Sequence, residues 1–456
     1  MLFTQLEFPI FFAVVLIATW IARGRVARNS VLLIASYYFY AYWDYRFCGL
    51  LFLSTVVDYV VAQRMQRSDE EAVRWRLLMV SLAVNLGMLG FFKYCNFFID
   101  SARPILQSMG LSGETLGLIL PVGISFFTFQ TLSYTIDVYR RKLTPTKSFL
   151  DFALFVAFFP QLVAGPIVRA SELLPQLASA SRFSKRRLYG GAQQMLRGAV
   201  KKVLLADRLG EMVDVVFAGP DLYSGITVWI AVFAYAGQIY YDFSGYSDIA
   251  IGAAKMLGFR FPANFRHPYL ATSMAEFWHR WHMTLSRWLR DYLYISLGGN
   301  RAGKLATYRN LLITMTLGGL WHGAAWTFVL WGIWHGLALA AERAIRFKPP
   351  QLIGWVVSMF VVLVGWVLFR SSDTSIAITV LSRMGDLSDG IVWYPPLVIG
   401  ALSCLVAEHV LWQTKLRRAM RLPWQAWYSP IATTIAIWAL LVYAPRGFRP
   451  FVYFQF

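Results

Sequence analysis

A histidine, His322, interrupts the apolar run Leu317-Gly-Gly-Leu-Trp-His-Gly-Ala-Ala-Trp326. Imidazole is largely neutral near physiological pH and still able to accept a proton. An ionisable group inside an apolar block usually faces the interior of a helix bundle. Glycines on either side of it let a substrate or a second backbone approach closely. The segment has the makings of a buried general base, and a hydrogen-bonded packing histidine would look the same. His335, in Trp331-Gly-Ile-Trp-His-Gly336, competes with it on the same block. His409, beside Glu408, reads as a partnered bystander.

A second concentration of chemistry lies in Glu276-Phe-Trp-His-Arg-Trp-His-Met-Thr-Leu-Ser-Arg-Trp-Leu-Arg-Asp-Tyr292. On a continuous helix, Phe277, Trp278, Trp281, Leu285, Trp288, Leu289 and Tyr292 gather within about 120° of arc. His279, His282, Arg280, Arg287 and Arg290 then share the other side. Such a helix lies at an interface or lines a polar cavity. It either anchors the chain to the lipid surface or guides an anionic acyl donor inward, a task suited to the always-charged, bidentate guanidinium. Glu276, His279 and His282 also have a metal-like E-x-x-H-x-x-H spacing, but no companion carboxylate-histidine segment accompanies it, and no metal is expected. In Tyr240-Tyr-Asp-Phe-Ser-Gly-Tyr-Ser-Asp248, the carboxylates of Asp242 and Asp248 are expected to pair with arginines, or one of them to orient a histidine.

The elements that must position these groups follow from composition. Of 456 residues, 57% are hydrophobic and only 15% charged, against roughly 45–50% and about 25% in soluble chains. The apolar residues are grouped in long runs without the period-2 alternation of barrel strands. Backbone amides in hydrocarbon must bond internally, so these runs become helices. The expected fold is all-α and polytopic, a single membrane-embedded domain over residues 1–456 with about eleven hydrophobic blocks. These run Phe8–Ala22, Val31–Trp43, Gly49–Val61, Leu77–Phe98, Leu116–Tyr139, Phe152–Val168, Ile226–Phe243, Leu311–Ala340, Leu352–Phe369, Val392–Leu411 and Ile431–Tyr443.

The net charge of +19 comes from basic residues concentrated in the short loops, which is how membrane proteins fix their orientation. This distribution argues against a nucleic-acid partner. Arg23–Arg28, the Gln63–Arg76 segment and Tyr139–Lys142 then face the cytoplasm, placing the N-terminus outside. The basic stretch Arg169–Arg208 belongs inside too, although only one apolar block separates it from the last. Phe152–Val168, broken at Pro160 and Gly165-Pro166, is therefore expected to re-enter on its own side beside a cavity. Cys48, Cys95 and Cys404 form no CxxC pair. With no Lys or Arg before Arg23, the first apolar run reads as a permanent span, not a signal peptide.

The ordered series Leu120-Pro-Val-Gly-Ile-Ser-Phe-Phe-Thr-Phe-Gln130, Phe159-Pro-Gln-Leu-Val-Ala-Gly-Pro166, Tyr241–Asp248, Phe277-Trp-His-Arg-Trp-His282, Trp288-Leu-Arg-Asp-Tyr-Leu-Tyr294, Leu297-Gly-Gly-Asn-Arg301, Gly318-Gly-Leu-Trp-His-Gly323 and Arg449-Pro-Phe-Val-Tyr-Phe-Gln-Phe456 resembles the membrane-bound O-acyltransferase family over nearly the whole chain. The Gly-Gly-Asn-Arg301 motif is similar to the alginate-type, polysaccharide O-acetylation branch rather than the teichoic-acid D-alanylation branch. The resemblance places the family's core histidine on His322 and its second recurrent histidine on His282. It implies acyl transfer from a cytoplasmic thioester donor such as acetyl-CoA, guided by Arg280, Arg287 and Arg290. His322 would serve as base, with His282 or a nearby amide at the oxyanion. It further implies a bacterial inner-membrane location, an extracytoplasmic polysaccharide acceptor and a periplasmic partner acyltransferase. A transporter or flippase, and a non-catalytic scaffold for a periplasmic acetyltransferase, remain the rival readings.

Overall fold

A computed structural model describes residues 1, 3, 5, 7–110, 113–179, 183–345, 349–386, 390–414, 426–443 and 451–452. Of the closing motif at 449–456, only Phe451 and Val452 fall within them. The described chain is helical and lacks named strands; Tyr223 and Ile391 form an isolated bridge. Four helical stretches among the described residues are long and apolar enough to cross a bilayer: Arg25–Gln66, Glu71–Ser108, Gln351–Arg370 and Pro396–Gln413. Shorter apolar helices, Glu7–Ile21 and Tyr428–Tyr443, accompany them. This is the architecture of a multi-pass membrane protein, although the count of eleven blocks does not translate into eleven long apolar helices.

The chain divides into two compact units. The first comprises Met1–Ala192 and Ala250–Pro262. Its helices are α1 (Glu7–Ile21), α2 (Arg25–Asp44), α3 (Cys48–Gln66), α4 (Glu71–Leu89), α5 (Cys95–Ser108), α6 (Ile124–Tyr139), α7 (Phe149–Ala157), α8 (Phe159–Leu162), α9 (Ala170–Ala178) and most of α10 (Lys185–Ala199). Between α3, α4 and α6 runs a buried polar seam. Asp58 accepts from the Ser81 hydroxyl at 2.6 Å and from the Asn85 amide at 2.9 Å, and Ser54 and Thr131 donate to the Asn85 carbonyl. Hydrogen bonds of this kind join helices where lipid offers no hydrophobic drive.

The block at Phe152–Val168 is broken, as its sequence suggests, but not at Pro160. Proline lacks only an N–H that the first turn of a helix leaves unpaired, and Pro160 sits in the first turn of α8. The break falls two residues earlier at Phe158, whose ψ of 108° ends α7. At 1.5 Å per residue the nine-residue α7 is about 13 Å long, less than half of the roughly 30 Å hydrocarbon core. Every residue from Phe152 to Val168 is buried, so this irregular backbone lies inside protein, as hydrocarbon requires. Gly123, left-handed at φ 79°, starts α6 against it: a Cβ there would stand 2.5 Å from the Leu162 carbonyl oxygen.

The second unit comprises Gln193–Ile249 and Ala263–Phe456. It holds the end of α10 and a π-helical segment Val200–Ala206, then α11 (Asp207–Ala218) and α12 (Gly225–Met256), whose last turns belong to the first unit. Next come α13 (Met274–Arg280), α14 (Met283–Trp288), α15 (Gly303–His322), α16 (Trp326–Ala344), α17 (Gln351–Arg370), α18 (Thr374–Gly385), α19 (Pro396–Gln413) and α20 (Tyr428–Tyr443). The sequence block Leu311–Ala340 is thus two helices in a tight hairpin. Its turn follows immediately on His322, because Gly323 takes an extended conformation flat against the Phe328 ring. The arms touch through glycine: a Cβ on Gly319 would run into the Phe328 carbonyl, and one on Gly332 into the Met315 carbonyl.

Gly332→Leu is therefore expected to destabilise the detergent-solubilised protein by about 1–3 kcal/mol, the usual effect of overpacking. Gly400→Ala, where nothing lies within 4 Å, is expected to leave the unfolding temperature unchanged or raise it. Thermal unfolding of both variants checks the contrast; a Gly332→Leu protein as stable as the parent would contradict it.

Candidate active site

His322 is the last helical residue of α15 and is only 4% exposed. Aromatic rings enclose it. Trp321 lies 5.0 Å away between centroids, Trp331 5.2 Å in an edge-on contact, and Phe369 of α17 5.3 Å. The carbonyl end of a helix carries the negative end of the macrodipole, so a proton arriving on this ring meets favourable charge. His282 stands 6.5 Å from it between ring centroids. The two histidines singled out by the sequence are therefore brought together, within reach of one small reacting group.

His282 arrives there by an unexpected route. The sequence reads as one helix from Glu276 to Tyr292, but the structure breaks it. Helix α13 ends at Arg280, His282 is left-handed at φ 39° and ψ 53°, and α14 starts at Met283, followed by a π-helical segment Leu289–Tyr294. No proline or glycine causes this; tertiary pairing does. The extended segment Asn264–Arg266 runs alongside the break, with the Arg266 amide donating to the Arg280 carbonyl and the Met283 amide to the Asn264 carbonyl, both at 2.9 Å. A left-handed non-glycine residue costs about 1–3 kcal/mol and persists only when its surroundings over-determine it.

Asn264 supplies the rest of that determination. Its Oδ1 accepts from the Thr284 hydroxyl at 2.9 Å and from the Thr284 amide at 3.3 Å, which fixes which end of the side-chain amide is oxygen. The same oxygen lies 3.1 Å from Nδ1 of His282, so that nitrogen carries the proton and donates. Neutral His282 therefore keeps its lone pair on Nε2, which makes no hydrogen bond among the described residues although His282 is fully buried. In this tautomer it accepts; it does not donate to an oxyanion. Asn264 was not singled out in the sequence. Its signal was weak: a polar residue between Pro262 and Pro268 in an otherwise unremarkable loop.

The other sequence candidates scatter. Because the helix is broken, Arg280, Arg287 and Arg290 do not line one face. Arg280 is held by Glu276 and lines an open cleft of about 560 Å³ with Arg266, Leu270, His279, Trp412 and Gln413. Arg287 is half-buried in α14, and Arg290 is exposed and paired with Asp291 at 2.7 Å. Burial raises the Glu276 carboxyl, but hydrogen bonds from Thr272 and Arg280 outweigh it and hold the group below its ordinary range. With Glu276 so engaged and His279 Nδ1 at 2.6 Å from the Ala275 carbonyl, the E-x-x-H-x-x-H residues do not converge on a common point. Asp242 pairs with Lys202 at 2.6 Å, and Asp248 with Arg197 and Lys201. Lysine thus does much of the pairing expected of arginine, and neither carboxylate hydrogen-bonds a histidine.

His335 is fully buried beside Trp331, at 4.8 Å from that ring and 5.3 Å from Trp278. His409 gives Nδ1 to the Leu405 carbonyl, a packing role. Replacing Asn264 with Ala frees the His282 ring to turn; turnover at the site is expected to fall about 10–100-fold, since misplacing a reacting group by an ångström has that effect. Initial rates normalised to the amount of protein in the membrane check this, and a parent-like rate would detach Asn264 from the site.

Residues 47–368, which contain both histidines, match the family described as MBOAT, membrane-bound O-acyltransferase family. The chain is 44% identical to a probable alginate O-acetylase AlgI of Azotobacter vinelandii over 79% of its own length and 73% of that protein. It is 38% identical to a peptidoglycan O-acetyltransferase of Helicobacter pylori, over 80% of this chain and 75% of the relative. A teichoic acid D-alanyltransferase of Streptococcus thermophilus is more distant, at 29% identity over 50% of this chain and 58% of its own. With its hairpin histidine, its broken-helix histidine and this match over most of its length, the chain belongs to the membrane-bound O-acyltransferase family and is an acyltransferase.

Proposed function

We propose that the protein takes an acetyl group from a cytoplasmic thioester, acetyl-CoA, and passes it through the membrane for O-acetylation of an extracytoplasmic polysaccharide such as alginate. The observation that carries this reading is the pairing of His322 and His282, two buried imidazoles 6.5 Å apart. The relatives named for alginate and peptidoglycan O-acetylation support the acceptor class.

In this reading His322 removes the proton from an acceptor hydroxyl as its oxygen attacks the thioester carbonyl. The tetrahedral intermediate then collapses, the carbon–sulfur bond breaks, and the departing thiolate takes the proton from the His322 imidazolium. His282, with its lone pair on Nε2, accepts a hydrogen bond and so orients the hydroxyl. The oxyanion role expected for His282 passes to another donor. Trp331, beside His322, offers a buried indole N–H without an acceptor among the described residues. General-base catalysis contributes typically about 10²–10⁴-fold, and the aromatic wall adds the exclusion of water.

The donor's phosphates meet Arg280 and Arg266 in the open cleft; Arg287 and Arg290 lie further along the broken helix. The acyl end reaches His322 when the enclosing rings move aside. The N-terminus faces the periplasm of the inner membrane, and a periplasmic partner acyltransferase completes transfer to the polymer. The immediate acceptor at His322 is a hydroxyl of that partner or of the polymer.

His322→Ala is expected to abolish polymer acetylation while membrane levels stay at the parent value, measured by acetyl release from isolated polymer and by immunoblot. Retained acetylation would remove His322 from the mechanism. Arg280→Ala is expected to raise the donor KM several-fold with kcat largely unchanged, the pattern of lost binding common to ground and transition states. An unchanged KM would reduce the cleft to a surface feature.

A further inference from the structure

Asp242 and the described residues near the C-terminus, Phe451 and Val452, meet in the interior of the second unit. Asp242 is 1% exposed and uses its two oxygens separately. Oδ1 takes the Lys202 ammonium at 2.6 Å, and Lys202 is held from its other side by Asp207 at 2.8 Å. Oδ2 accepts the backbone N–H of Val452 at 2.7 Å, across 210 residues of sequence. A buried ion pair adds little net stability by itself; its attested use is to specify one arrangement among several. Here the arrangement specified is the seat of a distant piece of chain.

That piece is a wedge. Phe451, 3% exposed, stacks on Tyr246 at 4.8 Å and 28°, and meets Phe243 at 5.5 Å. Tyr246 lies one turn of α12 beyond Asp242, and Phe243 is beside it, so hook and stacking platform occupy adjoining positions. Phe243 in turn meets the His282 ring edge-on at 4.5 Å and 88°. Asn264 fixes the Nδ1 edge of that imidazole, Phe243 covers its side, and Phe451 packs against Phe243. Withdrawing Phe451 gives Phe243, and then His282, room to turn.

We propose that Phe451–Val452 is a positioning wedge for His282: Asp242, fixed by Lys202, hooks the Val452 amide and holds Phe451 against the rings that pack beside His282. The inference rests on the reading of His322 and His282 as the reacting pair. It gives Asp242 a role that its sequence motif does not reveal, and it makes the distant Phe451 side chain part of the catalytic geometry without touching substrate.

The test uses full-length protein in membranes with radiolabelled acetyl-CoA, comparing Phe451→Ala, Val452→Pro and Phe451→Leu with His322→Ala. Val452→Pro removes the N–H that Asp242 accepts. Phe451→Ala and Val452→Pro are expected to lower kcat roughly 10–100-fold, the effect of an ångström-scale misplacement. Donor KM should stay constant and Phe451→Leu should recover much of the rate. If both turn over like the parent while His322→Ala is silent, the wedge is wrong and the catalytic reading stands. If His322→Ala also turns over, the catalytic reading itself has failed.

Where Val452→Pro does not accumulate, the Phe451 pair decides: Phe451→Ala is expected to lose turnover that Phe451→Leu restores at equal membrane levels. A Phe451→Ala protein that turns over like the parent would overturn the proposal.

Discussion

Inside a bilayer every interruption of a helix leaves backbone groups that no water can satisfy. The break at Trp281–His282 is possible only because Asn264–Arg266 runs beside it and takes up the orphaned amide and carbonyl. One side chain in that segment, Asn264, also sets the tautomer of the histidine at the break. Backbone satisfaction and catalytic orientation are thus met by the same residues. Severing this pairing would lose the turn, the proton location and the approach of His282 to His322 together.

The second organising feature is close contact through glycine. His322 reaches the site because α15 stops at Gly323 and α16 returns against it, with Gly319 and Gly332 allowing the helices to touch backbone to backbone. Large side chains then fill the remaining space: Trp321, Trp331 and Phe369 around His322, and Trp331 and Trp278 around His335. Asp242, Asp248, Glu408, Lys201 and Lys202 neutralise one another in buried or nearly buried pairs. Helix α12 carries Asp242 and Asp248 of these pairs and also Phe243, the ring beside His282.

Much of this was legible in the sequence. Runs of apolar residues without strand alternation gave helices and a membrane, and His322 stood out as a protonatable group in an apolar segment. What failed was the assumption that local periodicity decides continuity. The wheel drawn over Glu276–Tyr292 was sound in its apolar positions: Phe277, Trp281, Leu285 and Trp288 are all buried. It missed the break because the cause lies some twenty residues away in Asn264. Likewise Leu311–Ala340 read as one block because two apolar helices joined by Gly-Ala-Ala leave no polar mark between them. Pro160 misled in the other direction, since a proline in the first turn of a helix fits without breaking it.

The central claim is that the His322 ring takes the acceptor's proton. Chemical rescue tests it most directly: single-turnover acetyl transfer by membranes carrying His322→Ala, with and without added imidazole. The account predicts a silent variant whose transfer returns in proportion to free imidazole and rises with pH as more of the added base is neutral. A variant that transfers acetyl at the parent rate without imidazole would contradict it.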